Sequence, residues 1–388
     1  MIASAALALA LAQAPPAQAP PAQAPEAAAA GTTHSADAAA QAHGARARAL
    51  SFLLGSQKAD GSWGSARNGS YNDLWENPET HEAWTVATSG LVVMALLGEG
   101  EAARAALERA LPRLVRGAAL QRCSEWDMDD FWGYAYGLQA LARVLADARF
   151  ASVPARPELE RAARTYHDKL VHMRSGGWAY YANQGDAWRP VWTTSFGSAT
   201  AVLALADARS AGLAIDETAL RAGVRAIELC RLPTGAYTYS LEAFPSPGSA
   251  EGIDQLKSSL GRSQACNAAL RAGGSGAIDD AAIARALDAF FEHHRFLQIA
   301  KGRPIPHEAY YRVASYFYWY GHWHAALALE DLPLERRAGY AGELARIVER
   351  NQEADGSMWD HIMHDYPRFY GTAYGLMSLQ IAERELTR

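Results

Sequence analysis

The chain is short of cysteine, of clustered positive charge and of long apolar runs, and each shortage removes a class of protein. Its three cysteines, Cys123, Cys230 and Cys266, cannot build a disulfide scaffold, and none sits in a C-x-x-C pair. Lys plus Arg is 36 against 42 for Asp plus Glu, a formal charge of −6. With no Lys/Arg run to meet a phosphate backbone, nucleic acid is not expected as a partner. No apolar stretch approaches the roughly 20 residues of a spanning helix, so no membrane span is expected. What the 388 residues do have is 49% hydrophobic and only 20% charged side chains, enough to bury a large core.

The N-terminus is compositionally separate. Residues 2–11 are a short apolar run of Ala, Leu and Ile, and Ala10-Leu11-Ala12 and Ala12-Gln13-Ala14 offer the small-x-small spacing of a signal-peptidase site. Residues 1–14 therefore read as a signal peptide, and the protein as periplasmic or secreted. Residues 15–30 are almost only Ala, Pro and Gln and have no apolar face to bury. Residues 15–45 are expected to be a disordered linker, and the fold is expected to occupy residues 46–388.

From there one pattern recurs: a polar amphipathic helix, a Gly-rich turn, then an apolar helix rich in small residues. Gly133, Ala135, Gly137 and Leu141 align with Gly197, Ala199, Ala201 and Leu205, and with Gly371, Ala373, Gly375 and Leu379. Looser copies place the terminal Leu at 96, 270 and 329, so the six copies are spaced by 45, 64, 65, 59 and 50 residues. Helices that are apolar nearly all round are buried, and Gly and Ala let buried helices approach closely. The preceding helices, near 158–173, 218–229, 280–293 and 335–351, carry charge on one side only and form an outer layer. Six inner and six outer helices closing into a double ring leave no exposed apolar end, whereas an open solenoid needs polar caps.

The turns carry a family resemblance. Gln57-Lys58-Ala59-Asp60-Gly61-Ser62-Trp63 and Gln352-Glu353-Ala354-Asp355-Gly356-Ser357-Met358-Trp359 are two copies of one motif, with degenerate copies at Gly177-Trp178 and Gly235-Ala236-Tyr237. The pattern resembles the Q-x-x-D-G-S-W repeat of the terpenoid cyclase and protein prenyltransferase superfamily, the squalene–hopene cyclase type. The resemblance implies an all-α, single (α/α)6 toroid, in which Gln caps a helix end, Asp-Gly makes the turn and Trp packs over the neighbouring repeat. It does not fix function.

Two further places bear on chemistry. Prenyltransferases of this fold hold zinc with an Asp, a Cys and a His; the corresponding positions here are Gln264, Cys266 and Gly371. One thiolate is not a zinc site, so the chain is expected to bind no metal and no cofactor. Class II terpenoid cyclases use D-x-D-D to protonate an alkene or epoxide, and Asp127-Met128-Asp129-Asp130 stands before the second inner helix. The resemblance makes Asp129 the proton donor, supported by Asp127 and Asp130, whose mutual repulsion raises at least one pKa. The competing reading is an acidic first helical turn, favoured by the helix dipole.

The fifth inner helix begins Tyr316-Phe317-Tyr318-Trp319-Tyr320-Gly321-His322, after a loop containing His307. So dense an aromatic run suits a pocket for an apolar or sugar-like ligand. If the inner helices run the same way, their N-terminal turns surround one mouth of the pit. The expected site there has Asp129, Asp127, Asp130 and His322 as catalytic residues. Trp84, Trp192, Tyr318, Trp319, Tyr370 and His307 are expected to contact the ligand, a hydrophobic or polycyclic small molecule. Three readings stay open: an exported acid-catalysed cyclase, isomerase or lyase; a non-catalytic toroid binding a ligand in the pit or a protein at the rim; and a carbohydrate-active ring with Trp84, Trp132, Trp188, Trp192 and Trp319 stacking on sugars. The last needs two carboxylates across the cleft.

Overall fold

A computed structural model describes residues 32–69, 76–121, 129–180, 193–242 and 250–388. Its α-helices are α1 (Thr32–Gly55), α2 (Pro78–Leu97), α3 (Arg104–Gly117), α4 (Asp130–Ala146), α5 (Arg156–His172), α6 (Ser195–Ser210) and α7 (Glu217–Cys230). They continue with α8 (Ala250–Ile253), α9 (Leu260–Ala272), α10 (Asp280–Glu292), α11 (Arg295–Ala300), α12 (Phe317–Ala328), α13 (Leu334–Arg350) and α14 (Tyr366–Leu386). Among the described residues there is no β-strand, only isolated bridges.

The inner ring is α2, α4, α6, α9, α12 and α14; each packs on the next, and α14 packs back on α2. Helices α1, α3, α5, α7, α10 and α13 form the outer layer, with α1 lying against α13 and α14 to complete the closure. The expected six-repeat toroid is what the chain builds. All six repeat-end leucines, Leu96, Leu141, Leu205, Leu270, Leu329 and Leu379, are fully buried. The small residues do what their size predicts: a Cβ on Gly90 would meet the Tyr136 carbonyl oxygen at 2.7 Å, and Gly261 and Gly321 face each other so closely that a Cβ on Gly321 would meet the Gly261 Cα at 2.7 Å.

The turns repeat one hydrogen-bond scheme. The Gln57 amide donates to the Gly61 carbonyl (3.1 Å) and to Ala106 on the next outer helix (2.9 Å). Gln352 does the same with Gly356 (3.0 Å) and Ala45 (2.9 Å), so the motif stitches the last repeat to α1. Asp60 and Asp355 each accept from the backbone N–H and hydroxyl of the Ser two residues on. Gly61 and Gly356 sit at φ +87° and +88°, where a side chain would also strike a neighbouring carbonyl. Trp63 is fully buried and its indole donates to the Leu53 carbonyl at 2.8 Å.

One boundary moves. Helix α1 starts at Thr32, and Ala42 and Ala45 are fully buried in the core. Helix and core thus begin ahead of residue 46, inside the stretch expected as linker.

Candidate active site at the mouth of the ring

Side chains one turn apart on several inner helices meet in one cluster. Helix α4 contributes Trp132 and Tyr136, α6 Phe196 and Thr200, and α14 Tyr370 and Tyr374; Tyr316 and Tyr320 come from the start of α12. Positions i and i+4 share a helix face, so each helix presents one short ladder. The rings interlock: Trp132 stacks on Tyr136 (centroids 6.0 Å apart) and on Phe196 (6.2 Å), and Phe196 meets Tyr239 (5.1 Å) and Phe317 (5.0 Å) edge-on. Deeper in, the Tyr136 and Tyr374 hydroxyls lie 2.5 Å apart and the Thr200 and Tyr320 hydroxyls 3.1 Å apart. Burial pushes the Tyr136, Tyr320 and Tyr374 phenols up from their ordinary value, so these groups stay neutral.

Asp129 stands at the mouth as the N-cap of α4, in the left-handed region at φ +67°. That conformation is costly for a residue with a Cβ and recurs at functional sites. Its backbone N–H donates to the Tyr180 carbonyl at 3.1 Å. Its carboxyl accepts from two indoles: Trp84 Nε1 to Oδ2 at 3.0 Å and Trp132 Nε1 to Oδ1 at 3.2 Å. Its charge is felt by the Tyr239 and Tyr316 phenols, which places it among the pit aromatics.

Asp130, the first residue of α4, is buried, and its charge bears on Lys169 of the outer helix α5, whose ammonium donates to the Ala118 and Leu120 carbonyls. Of the three expected carboxylates, Asp129 and Asp130 are described and Asp127 lies outside the described residues.

His322 is not at the mouth. It is fully buried between α12 and the outer layer. Its Nδ1 donates to the Tyr318 carbonyl (2.7 Å), which leaves Nε2 to accept from His294 Nε2 (2.9 Å). Burial holds the imidazole well below its ordinary pKa, so it is a neutral core residue. Tyr318 and Trp319 are fully buried too: the Tyr318 hydroxyl donates outward to Gln298 at 2.8 Å, and Trp319 packs where a Cβ on Gly371 would touch it at 2.8 Å. Of the remaining expected contacts, Trp84 bonds to Asp129, Tyr370 to Asp360 and His307 to Tyr316, while Trp192 and Trp188 lie outside the described residues. His307 Nδ1 donates to the Arg312 carbonyl (2.6 Å), so Nε2 accepts from the Tyr316 hydroxyl (3.1 Å). Burial lowers its pKa to about 4, so it is neutral at physiological pH.

Several neighbours were missed from sequence. Arg262 on α9 is fully buried, with its guanidinium 5.5 Å from the Tyr239 ring and 5.4 Å from Phe317, and it donates to the Ile253 carbonyl at 2.6 Å. Asp360 is fully buried behind Tyr370: Oδ1 accepts the Tyr370 hydroxyl (2.9 Å) and Oδ2 the Trp319 N–H (3.1 Å). Burial, opposed by those two donors and by Lys301, raises the Asp360 carboxyl to about 7. The DGSMWD stretch that holds it offered the signal, an acidic residue in an apolar turn. Finally, Glu76, His81 and His364 converge beside Trp84, with one potential ligand atom of each lying within 4.8 Å of the others. The expectation of no metal rested on the family zinc position, where Cys266 is a buried thiol whose pKa burial raises far above normal.

No protein-family model matches the chain, and no curated protein matches it. Among solved structures it is similar to an apo variant of the type II terpene cyclase MstE from Scytonema (TM-score 0.54, 16% identity, 90% of this chain and 99% of that one). It is similar to a variant of the same enzyme in complex with geranylgeranyl dihydroxybenzoate, its substrate (0.52, 15%, 90% and 99%). It is also similar to an inactive α-1,6-mannanase variant from Salegentibacter in complex with α-1,6-mannotetrose (0.53, 10%, 90% and 99%). At these identities the likeness is one of fold, and the chain is a single (α/α)6 toroid of the kind shared by squalene cyclase-like terpene cyclases and glycoside hydrolases.

Proposed function

We propose that the protein is an acid-initiated cyclase or isomerase acting on an apolar, alkene-bearing small molecule in the central pit, with Asp129 as the proton donor. The observation that carries this reading is one carboxyl gripped by two indole N–H groups, one of which, Trp132, begins a run of packed aromatic rings through Tyr136 and Phe196. Alkene protonation needs a strong acid. Donors aimed at both carboxyl oxygens stabilise the carboxylate left behind, and they do so most when the proton has gone. The proton adds to one alkene carbon and leaves a cation on the other. The faces of Trp132, Tyr136 and Phe196 offer that cation quadrupole attraction without a nucleophile. Ring closure by a second double bond moves the charge along, and loss of a carbon-bound proton to a base ends the reaction. His307, neutral and at the end of the Tyr316 hydroxyl contact, is the residue placed to receive it.

The carbohydrate-active reading gains less support. It needs a second carboxylate across a cleft, and the buried Asp360 is held by the Tyr370 hydroxyl and the Trp319 N–H. Export through residues 1–14 is part of the proposal and is tested by N-terminal sequencing of the protein recovered outside the cytoplasm.

The experiment is incubation of the purified protein with linear isoprenoid alcohols and prenylated aromatic acids, with products read by mass-neutral retention shifts. Wild type converts at least one compound, and Asp129→Asn loses conversion while its melting temperature stays within a few degrees. Asp130→Asn conversion follows only its folded fraction. Equal conversion by wild type and Asp129→Asn refutes the assignment.

A further inference from the structure

We propose that Glu76, His81 and His364 form a binding site for a divalent first-row transition-metal ion of the Zn2+ class, at the seam where the first and last repeats meet. The three residues come from separate segments. Glu76 precedes the Asn77 cap of α2, His81 lies in the first turns of that helix, and His364 ends the loop before α14. Ring closure alone brings them together, across 288 residues between Glu76 and His364.

The donor set matches the ion. His364 Nε2 lies 2.5 Å and His81 Nε2 3.6 Å from Glu76 Oε2, and all three ligand atoms fall within 4.8 Å. Metal–ligand bonds of about 2.0–2.2 Å would hold such atoms roughly 3 Å apart, a shift of an ångström or less for the closer pair. Two imidazoles and a carboxylate on one side of an ion leave further positions open, the arrangement typical of catalytic rather than closed structural sites.

Each imidazole is also turned for the task by its other nitrogen. His364 Nδ1 donates to the Asn68 carbonyl at 2.7 Å, which turns Nε2 toward Glu76, where an ion would take the place of the proton the two share. The Tyr366 hydroxyl donates to the His81 carbonyl and accepts from His81 Nδ1, both at 3.3 Å, with the same consequence for the second ring. Such outer partners accompany metal-binding histidines. A second observation is independent of the donors: His364 sits at φ +56°, and Asn68, which supplies the carbonyl, at φ +65°. The backbone is held in a strained form on both sides of one hydrogen bond, as at ligand clamps. The Glu76 side chain is only 3% exposed, so a cation in contact with it would be little screened.

The site has reach. Trp84, whose indole holds Asp129, packs edge-on against His81 at 5.5 Å and lies 6.4 Å from His364. An ion here staples the ring seam and steadies the indole that presents the acid.

The test uses full-length protein stripped with a chelator and titrated with Zn2+ by calorimetry. Co2+ is the spectroscopic probe. One equivalent of Zn2+ binds, the melting temperature rises with Zn2+ concentration, and bound Co2+ shows the strong visible absorption of a low-coordinate nitrogen/oxygen site. Glu76→Gln and His364→Ala weaken binding more than about tenfold, and Tyr366→Phe, which removes only the orienting hydroxyl, about tenfold. Asp129→Asn binds normally, which separates this site from the acid. Stripped wild-type protein that takes up neither ion overturns the proposal, whatever the variants do. So does uptake that is equal in wild type and in folded His81→Ala/His364→Ala protein, since the ion is then held elsewhere.

Discussion

Replacing Asp360 with Asn should make the protein more stable at neutral and alkaline pH and leave it nearly unchanged near pH 4. The carboxyl is fully buried and its pKa rises from 3.8 to about 7 on folding, chiefly through burial. Between those values the folded protein keeps a proton that the unfolded chain has released, so stability is greatest below pH 4 and falls as pH rises through the window. Three pH units at about 1.4 kcal/mol each give roughly 4 kcal/mol lost to ionisation by pH 7 and above. Asparagine carries no such term. Its oxygen can accept the Trp319 N–H, which cannot turn, and its amide can donate to the Tyr370 hydroxyl, which can, so the hydrogen bonds at 3.1 Å and 2.9 Å are both replaceable. Urea unfolding followed by tryptophan fluorescence at pH 4, 5, 6, 7 and 8 gives the difference between variant and wild type, in which all other titrations cancel. The difference should move in favour of the variant by about 4 kcal/mol, with most of the change complete by pH 7. A pH-independent difference would sink the reasoning, because it would mean the carboxyl ionises alike in both states.

His322→Ala removes the acceptor of the buried His294 N–H and opens a cavity beside Phe290, so it should cost roughly 2–4 kcal/mol in denaturant unfolding while ligand binding per folded molecule is unchanged. Gly371→Ala places a methyl 2.5 Å from the Met358 carbonyl oxygen; melting should show a loss of roughly 1–3 kcal/mol or more despite the gain in helix propensity. A chain starting at residue 46 lacks the turns of α1 that bury Ala42 and Ala45, and should melt well below the intact protein or fail to fold; an unchanged melting curve would restore those residues to the linker.

The ring was legible in sequence because its rules are local. Terminal leucines at fixed register, glycines where helices touch and Asp-Gly turns each specify one junction, and six such junctions close a circle. Which face of an inner helix looks into the pit was not legible. Helix α12 is apolar all round, so no polar stripe separates its pit side from its wall side, and Tyr318, Trp319 and His322 read the same as Tyr316 and Tyr320. Asp129 was found through its motif, yet its partners were not, since two indoles 45 residues and 3 residues away carry no pattern. The Glu76–His81–His364 cluster had no local signature at all.

A ring sealed by α1 against α14 cannot be finished until α14 has been synthesised. Arg46 of α1 pairs with Glu383 of α14 at 2.9 Å, a separation of 337 residues. At roughly 5–20 residues per second the ribosome delivers that partner on the order of 20–70 s after the first. Throughout that interval the apolar stripe of Ala42, Ala45, Ala49 and Leu53 has no permanent seat, although each ends fully buried. Misassembly is thus a greater hazard for α1 than for α14, which finds the rest of the ring already made.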